Sequence, residues 1–315
     1  MTENLITSVN VVVPLFLIVV LGYLLKRWHV TDEGFNKIAT KLCFNLILPI
    51  SLFNSIVSAG VRDVLKGRML LWMLLIFLGV TVVSLVLILP LARDPKKRGV
   101  LLQCAVRSNF VYIGIPICEN LFGESGVSVA SVAIPFVVIV FNASAVIILS
   151  VFSGGEKKVE IGKLFLKILR NPLIIGSVIG VVWSLIGIPV PNFIGNALTT
   201  LGKTATPLAL LALGGSFEFR AVKDQLRYIL FGTALRNLIV PLLALSAAVA
   251  LGFRHEELAV FFVAFAAPVA ISSYPMAVQM NGDGDLAGQL VVSTTTFSLV
   301  TMFLGIFILK TFGWL

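Results

Sequence analysis

Long apolar runs alternate with short polar stretches along this chain, and the runs have the length that a lipid bilayer demands. A spanning helix needs about 20 mainly apolar residues. Ten segments qualify: 8–26, 36–59, 68–91, 98–122, 126–152, 168–187, 192–215, 227–251, 257–281 and 286–310. The longest polar connection, Ser153–Lys167, carries Gly154-Gly155 and four lysines and divides the chain in two. The pattern predicts an all-α integral membrane protein. A first five-helix repeat covers 1–152, a linker 153–167, and a second five-helix repeat 168–315. The first run, Val9–Leu25, has no basic residues before it and no small-residue cleavage site after it. It is expected to be a retained helix and not a signal peptide.

The two halves share their punctuation. Pro14, Gly22 and Pro49 recur as Pro172, Gly180 and Pro207 at an offset of 158; Pro116 and Gly123 recur as Pro275 and Gly282 at 159. Pro90, Pro95 and Pro135 have no counterparts. With five helices per half, the second copy enters the membrane from the opposite face. That is an inverted-topology repeat, a plan of secondary transporters that bind substrate near the midplane at discontinuous helices.

Two stretches interrupt the apolar pattern. The first is Arg107-Ser108-Asn109-Phe110-Val111-Tyr112-Ile113-Gly114-Ile115-Pro116; the second is Pro268-Val269-Ala270-Ile271-Ser272-Ser273-Tyr274-Pro275. Proline has no N–H, so Pro116 leaves the Tyr112 carbonyl without its helical partner. In hydrocarbon such a group is tolerated only inside protein or beside a water-filled cavity. Helices 4 and 9 are therefore expected to be broken and to cross, with Gly114, Pro116, Pro268 and Pro275 marking the crossover. Asn109 and Pro116 are seven residues apart, as are Pro268 and Pro275, which puts each pair on one helix face. New half-helices would start at Pro116 and Pro275, and their N–H groups favour an anion at the centre.

Composition sharpens this picture. Apolar residues make up 58% of the chain and charged residues 12%, against roughly 25% charged in a soluble domain. Cys43, Cys104 and Cys118 all lie in apolar runs, and His29 and His255 lie far apart at loop ends. No metal site, acid–base pair or cofactor is expected from these residues, and no enzyme. The net charge of +9 sits in loops: 15 Lys and Arg on one face against 5 on the other. The basic face is predicted to be cytoplasmic, with both termini outside. No aromatic-interleaved basic patch suggests nucleic acid.

Candidate substrate-binding residues are Asn109, Arg107, Tyr112, Ser272, Ser273, Tyr274 and Asn45. Asn109 either hydrogen-bonds substrate or caps the broken helix. Arg107 either pairs with an anionic substrate, or snorkels toward the cytoplasmic face or bonds backbone carbonyls. Arg236, equally deep in helix 8, reads as structural. Asn45, with Ser51, is placed on a polar edge of helix 2. Asn142-Ala143-Ser144 matches a glycosylation sequon at membrane depth and is set aside. Thr294 and its neighbours either line a pathway or join helices. The loop starting at Asn281-Gly282-Asp283-Gly284-Asp285 has Leu286 where a calcium loop needs glycine at position six and Val292 where it needs glutamate at position twelve, so it reads as a turn. Gly176-xxx-Gly180 reads as a close helix contact.

Leu48-Pro49, Ser108-Asn109…Gly114-Ile115-Pro116…Phe122-Gly123, Asn171-Pro172 and Thr206-Pro207-Leu208-Ala209-Leu210 resemble the auxin efflux carrier family, as does the Ser/Thr-rich tenth helix. That family includes plant auxin exporters and bacterial malate- or malonate-permease-like carriers. The resemblance implies the crossed-helix fold of bile-acid/sodium symporters. Helices 1, 2, 6 and 7 would form a scaffold, helices 3–5 and 8–10 a moving transport domain, and two copies a homodimer. The expected function is secondary active transport of a small organic anion, such as a mono- or dicarboxylate, across the cell membrane by alternating access. H+ and Na+ are the candidate coupling ions. A sodium-coupled bile-acid-type symporter, its ion held around Tyr112 and Ser272–Tyr274, and a channel are the alternatives.

Overall fold

The computed structural model describes residues 14, 17–59, 67–152, 166, 169–217 and 219–315. The predicted 153–167 linker, apart from Leu166, and the start of the first apolar run lie outside the described residues. All described regular elements are helical. The first half contains α1 (17–27), α2 (Glu33–Leu42), α3 (Leu48–Ala59), α4 (Arg68–Ile88), α5 (Pro95–Val106) and α6 (Phe110–Phe152). The second contains α7 (Pro172–Ile186), α8 (Asn192–Lys203), α9 (Ala205–Ser216), α10 (Phe219–Ala234), α11 (Val240–Ala250), α12 (His255–Ala266), α13 (Ser273–Gln279) and α14 (Gly284–Thr311).

Local sequence explains the joints. Asp94 and Asn171 accept hydrogen bonds from the second backbone N–H beyond them, with Pro95 and Pro172 at the first helical position. Two π turns, Cys43–Ile47 and Leu235–Ile239, join α2 to α3 and α10 to α11. Each stands just ahead of a proline, Pro49 or Pro241, that cannot donate to the carbonyl four residues back. The residue before the proline bonds five residues back instead: Leu48 N–H to the Cys43 carbonyl, and Val240 N–H to that of Leu235.

Five stretches are long and apolar enough to cross a membrane: Glu33–Ser58, Arg68–Ile88, Val132–Phe152, Val222–Ala250 and Gly284–Thr311. The other predicted spans differ for visible reasons. Span 98–122 is interrupted at 107–109, 257–281 is interrupted at 267–272, and 192–215 is jointed at Thr204. The helix within 168–187 has 15 residues.

One order of elements occurs twice: helix, break, shorter helix, tight turn, long helix. In the first half the turn is Gly123 inside α6, whose φ of 61° is a left-handed conformation that glycine adopts without steric cost. In the second half it is 280–283, between α13 and α14. At the end of this arm the Ser125 hydroxyl donates to the Glu256 carboxylate at 2.6 Å, which holds that carboxyl below its usual range.

Leu71, Leu75, Leu78, Val82 and Val86 form an exposed stripe along α4, the surface that lipid would cover. Inside, Phe77 stacks on Phe141 at 5.0 Å, and Phe141 meets Phe265 at 6.3 Å. These contacts tie α4, α6 and α12 together beside the breaks. Gly176 and Gly180 let α7 lie against α3: a Cβ on Gly176 would come within 2.7 Å of the Pro49 carbonyl oxygen. The small-residue motif is thus used within the chain.

Candidate functional site

α5 ends at Val106 and α12 at Ala266, and the chain leaves both in extended conformation: Arg107 at φ −98°, ψ 121°, and Ala267 at φ −61°, ψ 148°. At Ala267 the cause is local, because a residue before proline is pushed out of the helical region. The two extended segments then meet. Asn109 N–H donates to the Pro268 carbonyl at 2.9 Å, and Ser108 and Val269 form an isolated antiparallel bridge. Thr294 of α14 supports the second segment by accepting from Val269 N–H at 3.3 Å. Each break therefore supplies partners for backbone groups that the other releases.

The first break does not lie at Pro116. It lies at 107–109, and α6 runs on through 116. Pro116 removes one donor, whereas a break must re-satisfy several backbone groups at once, and the crossing segment does that only at 107–109. In the second half Pro268 lies within the break and Pro275 is the third residue of α13. Gly114 lets α6 approach α12 closely, since a Cβ there would sit 2.9 Å from Val263 Cγ1.

A cavity of about 90 Å3 opens beside the crossing. The breaks line it with Arg107, Ser108, Asn109 and Ser272; α3 adds Ser51 and Ser55, and α9 adds Thr206. Phe141 and Asn142 close it from α6.

Arg107 is 4% exposed. One terminal nitrogen donates to Asn142 Oδ1 at 2.7 Å and to Ser272 Oγ at 2.6 Å; the other touches the Met276 sulfur. All three partners are neutral. Asn109 is also 4% exposed, and its Nδ2 has no hydrogen-bond partner among the described residues. The cavity is thus lined by an arginine whose partners among the described residues are all neutral and by an asparagine whose buried amide donor has no acceptor among them.

Other candidates fall elsewhere. Tyr274 is buried and lines a smaller cavity with Ser216, Asp285 and Gln289. Ser273 is buried with its hydroxyl unpartnered, but it does not line the larger cavity. Asn45 is exposed and donates to the Lys41 carbonyl at 3.0 Å. Tyr112 lies in α6, with its side chain outside the described residues. Asn142 is the residue that sequence reasoning passed over. Its signal was an amide at membrane depth in an apolar helix, masked by the sequon.

Arg236 is fully buried on the π turn after α10. Its Nε and one terminal nitrogen donate to the Ala267 carbonyl at 2.8 and 2.6 Å. The remaining bonds go to Ala105 at 2.8 Å and Ala264 at 3.3 Å. Its role is backbone satisfaction at the breaks.

Apolar spans, crossing helix breaks and a polar cavity beside them mark a membrane protein of the transporter class. A family described as "membrane transport protein" matches residues 7–306. The chain belongs to that family, which is the family of the auxin efflux carriers. An uncharacterized transporter of Methanothermobacter thermautotrophicus is 25% identical over 297 residues, covering 94% of this chain and 96% of its own. The uncharacterized transporter YfdV of Escherichia coli K12 is 25% identical over 291 residues, 85% of this chain and 87% of its own. A rice protein described as a probable auxin efflux carrier component 5c is 30% identical over 141 residues, 42% of this chain and 38% of its own. The family and these relatives are transporters, not enzymes.

Proposed function

We propose that the protein is a secondary active transporter of the auxin efflux carrier type that moves a small organic anion, such as a mono- or dicarboxylate, by alternating access. One observation carries this reading: the buried Arg107 guanidinium, with only neutral partners among the described residues, shares a cavity with Asn109, whose Nδ2 has no partner among them. A buried charge is costly until it is paired. A carboxylate would pair with Arg107 and accept from Asn109, filling both vacancies at once. The N-terminus of α6 at Phe110 adds positive potential on the same side.

Size narrows the class. One buried water needs about 10–15 Å3 of such space, so a cavity of about 90 Å3 suits an ion of a few heavy atoms.

The architecture that goes with this reading is ten spans in a 5+5 inverted repeat, 1–152 and 168–315. The doubled order of elements and the antiparallel crossing support it. Helices 1, 2, 6 and 7 act as scaffold, and helices 3–5 and 8–10 as the moving domain. The cavity lies between side chains of both groups. The protein sits in the cell membrane with both termini outside, supported by the loop charges, and works as a homodimer. H+ or Na+ is the candidate coupling ion, and the Arg236 fork on the crossing carbonyls favours H+.

Thermal unfolding of the purified protein against small mono- and dicarboxylates and their neutral amides tests the reading. At least one carboxylate should raise the midpoint in a concentration-dependent way, its amide should not, and Arg107→Gln should lose the response. Equal shifts with acid and amide, or no shift with any carboxylate, contradict it.

A further inference from the structure

We infer that Arg236 is a built-in cation for the crossing. Its guanidinium takes the carbonyl positions at the ends of both broken helices that a bound metal ion such as Na+ would otherwise use, so the crossing holds together without that ion. The proposal rests on the crossing geometry and not on the identity of the substrate.

The last four carbonyls of any helix have no intrahelical partner, and a helix C-terminus carries about half a negative charge. Two such ends meet here, the ends of α5 and α12. Together they amount to roughly one negative charge, within protein that excludes water. Ala105 lies in the last turn of α5, Ala264 in the last turn of α12, and Ala267 caps α12. A cluster of carbonyl oxygens of this kind suits a hard cation.

Arg236 supplies that cation from the chain itself. All three of its nitrogens are engaged, and every acceptor is one of these carbonyls. The fork reaches oxygens of both helices from one side chain, which a lysine ammonium cannot reproduce. Asn237, the next residue, donates to the Thr294 carbonyl at 2.8 Å, and Thr294 Oγ1 accepts from Val269 in the second break. The π turn thus grips the crossing at two points. Arg236 does not line the cavity, so it is a positioning residue: it sets where Arg107 and Asn109 stand without touching what they bind.

The unfolding midpoint of the purified full-length protein, in equal concentrations of NaCl, KCl and choline chloride, tests the proposal without any substrate present. Wild type should give the same midpoint in all three. Arg236→Ala should lower it by at least about 5 °C. Low-millimolar guanidinium, far below denaturing levels, should return part of that loss, where KCl of the same ionic strength does not. A Na+-specific rise in wild type overturns the proposal. So does an Arg236→Ala midpoint equal to wild type, or a loss that any salt restores. If Arg236→Ala is not recovered from the membrane, Arg236→Lys decides. A lowered midpoint that Na+ does not restore supports the proposal, and a wild-type midpoint overturns it. A failed carboxylate screen would leave these midpoints unchanged, so the two readings fail separately.

Discussion

Arg107 and Arg236 are the same residue type at similar depth, each alone in an apolar run, and each is buried within a few ångströms of the same crossing. Their surroundings separate them. Arg236 donates only to backbone carbonyls, and those carbonyls are the free ends of two helices. Arg107 donates to an amide oxygen, a hydroxyl and a thioether, all of them side chains on a cavity or next to it. The first guanidinium is saturated by groups that cannot leave. The second is held by neutral groups, with its charge still unpaired. A buried arginine thus declares its role through the charge and mobility of its acceptors, and its depth alone says little.

Changes at each site can sharpen or break that contrast. The largest effect is expected on stability at Arg236. Arg236→Ala strands carbonyls of both helices and should cost about 3–5 kcal/mol, the scale of breaking a buried charged network. Chemical or thermal unfolding measures it directly, and a cost below about 1 kcal/mol would place the residue outside the frame. Arg107→Gln should behave in the opposite way. Ligand-free stability should hold or rise, since an unpaired buried charge has been removed, while carboxylate binding weakens by about 1.5–3 kcal/mol, or roughly 10- to 150-fold. Titration calorimetry reads the second effect. A variant with unchanged affinity would make the two arginines alike.

Asn109→Ala comes next. Its backbone bond to Pro268 remains, and the side-chain amide with its Oδ1 and Nδ2 is lost, so the protein should still fold, with at most about 1 kcal/mol lost from the start of α6, while affinity falls by about 1.5 kcal/mol. Unfolding of this variant in the membrane would assign the amide to capping. The smallest effect is expected at Pro116, which lies inside α6 and away from the break. Pro116→Ala returns a donor to the Tyr112 carbonyl and should raise stability by about 1 kcal/mol with transport kept. Transport lost in this variant alone would move the functional break back toward Pro116.

Much of the fold could be read from the chain. Apolar length announced five of the ten predicted spans, those that stand as long apolar helices, and the doubled stretches at Arg107 and Pro268 announced where helices would break. The position of the first break was misread because proline is the loudest local signal. Pro116 costs its helix one bond. Arg107-Ser108-Asn109 has no proline, yet it breaks because the other extended segment meets it, and Val269, the partner of Ser108, is 161 residues away. The site was partly legible for the same reason. Arg107, Asn109 and Ser272 are polar residues next to the breaks and converge on one cavity, while Asn45 shares their chemistry but faces outward. Asn142 joins them through a contact spanning 35 residues, which no local pattern encodes. The two π turns, by contrast, each sit just ahead of a proline, Pro49 or Pro241.

The central claim is that Arg107 and Asn109 together receive a carboxylate. A structure of the purified protein with its most stabilising small carboxylate tests this most directly. The account predicts ligand density in the cavity beside the crossing, with carboxylate oxygens within hydrogen-bonding distance of the Arg107 guanidinium and Asn109 Nδ2, and Arg236 still bound to the Ala105 and Ala267 carbonyls. Density that contacts neither Arg107 nor Asn109, or that sits on Arg236 instead, would contradict it.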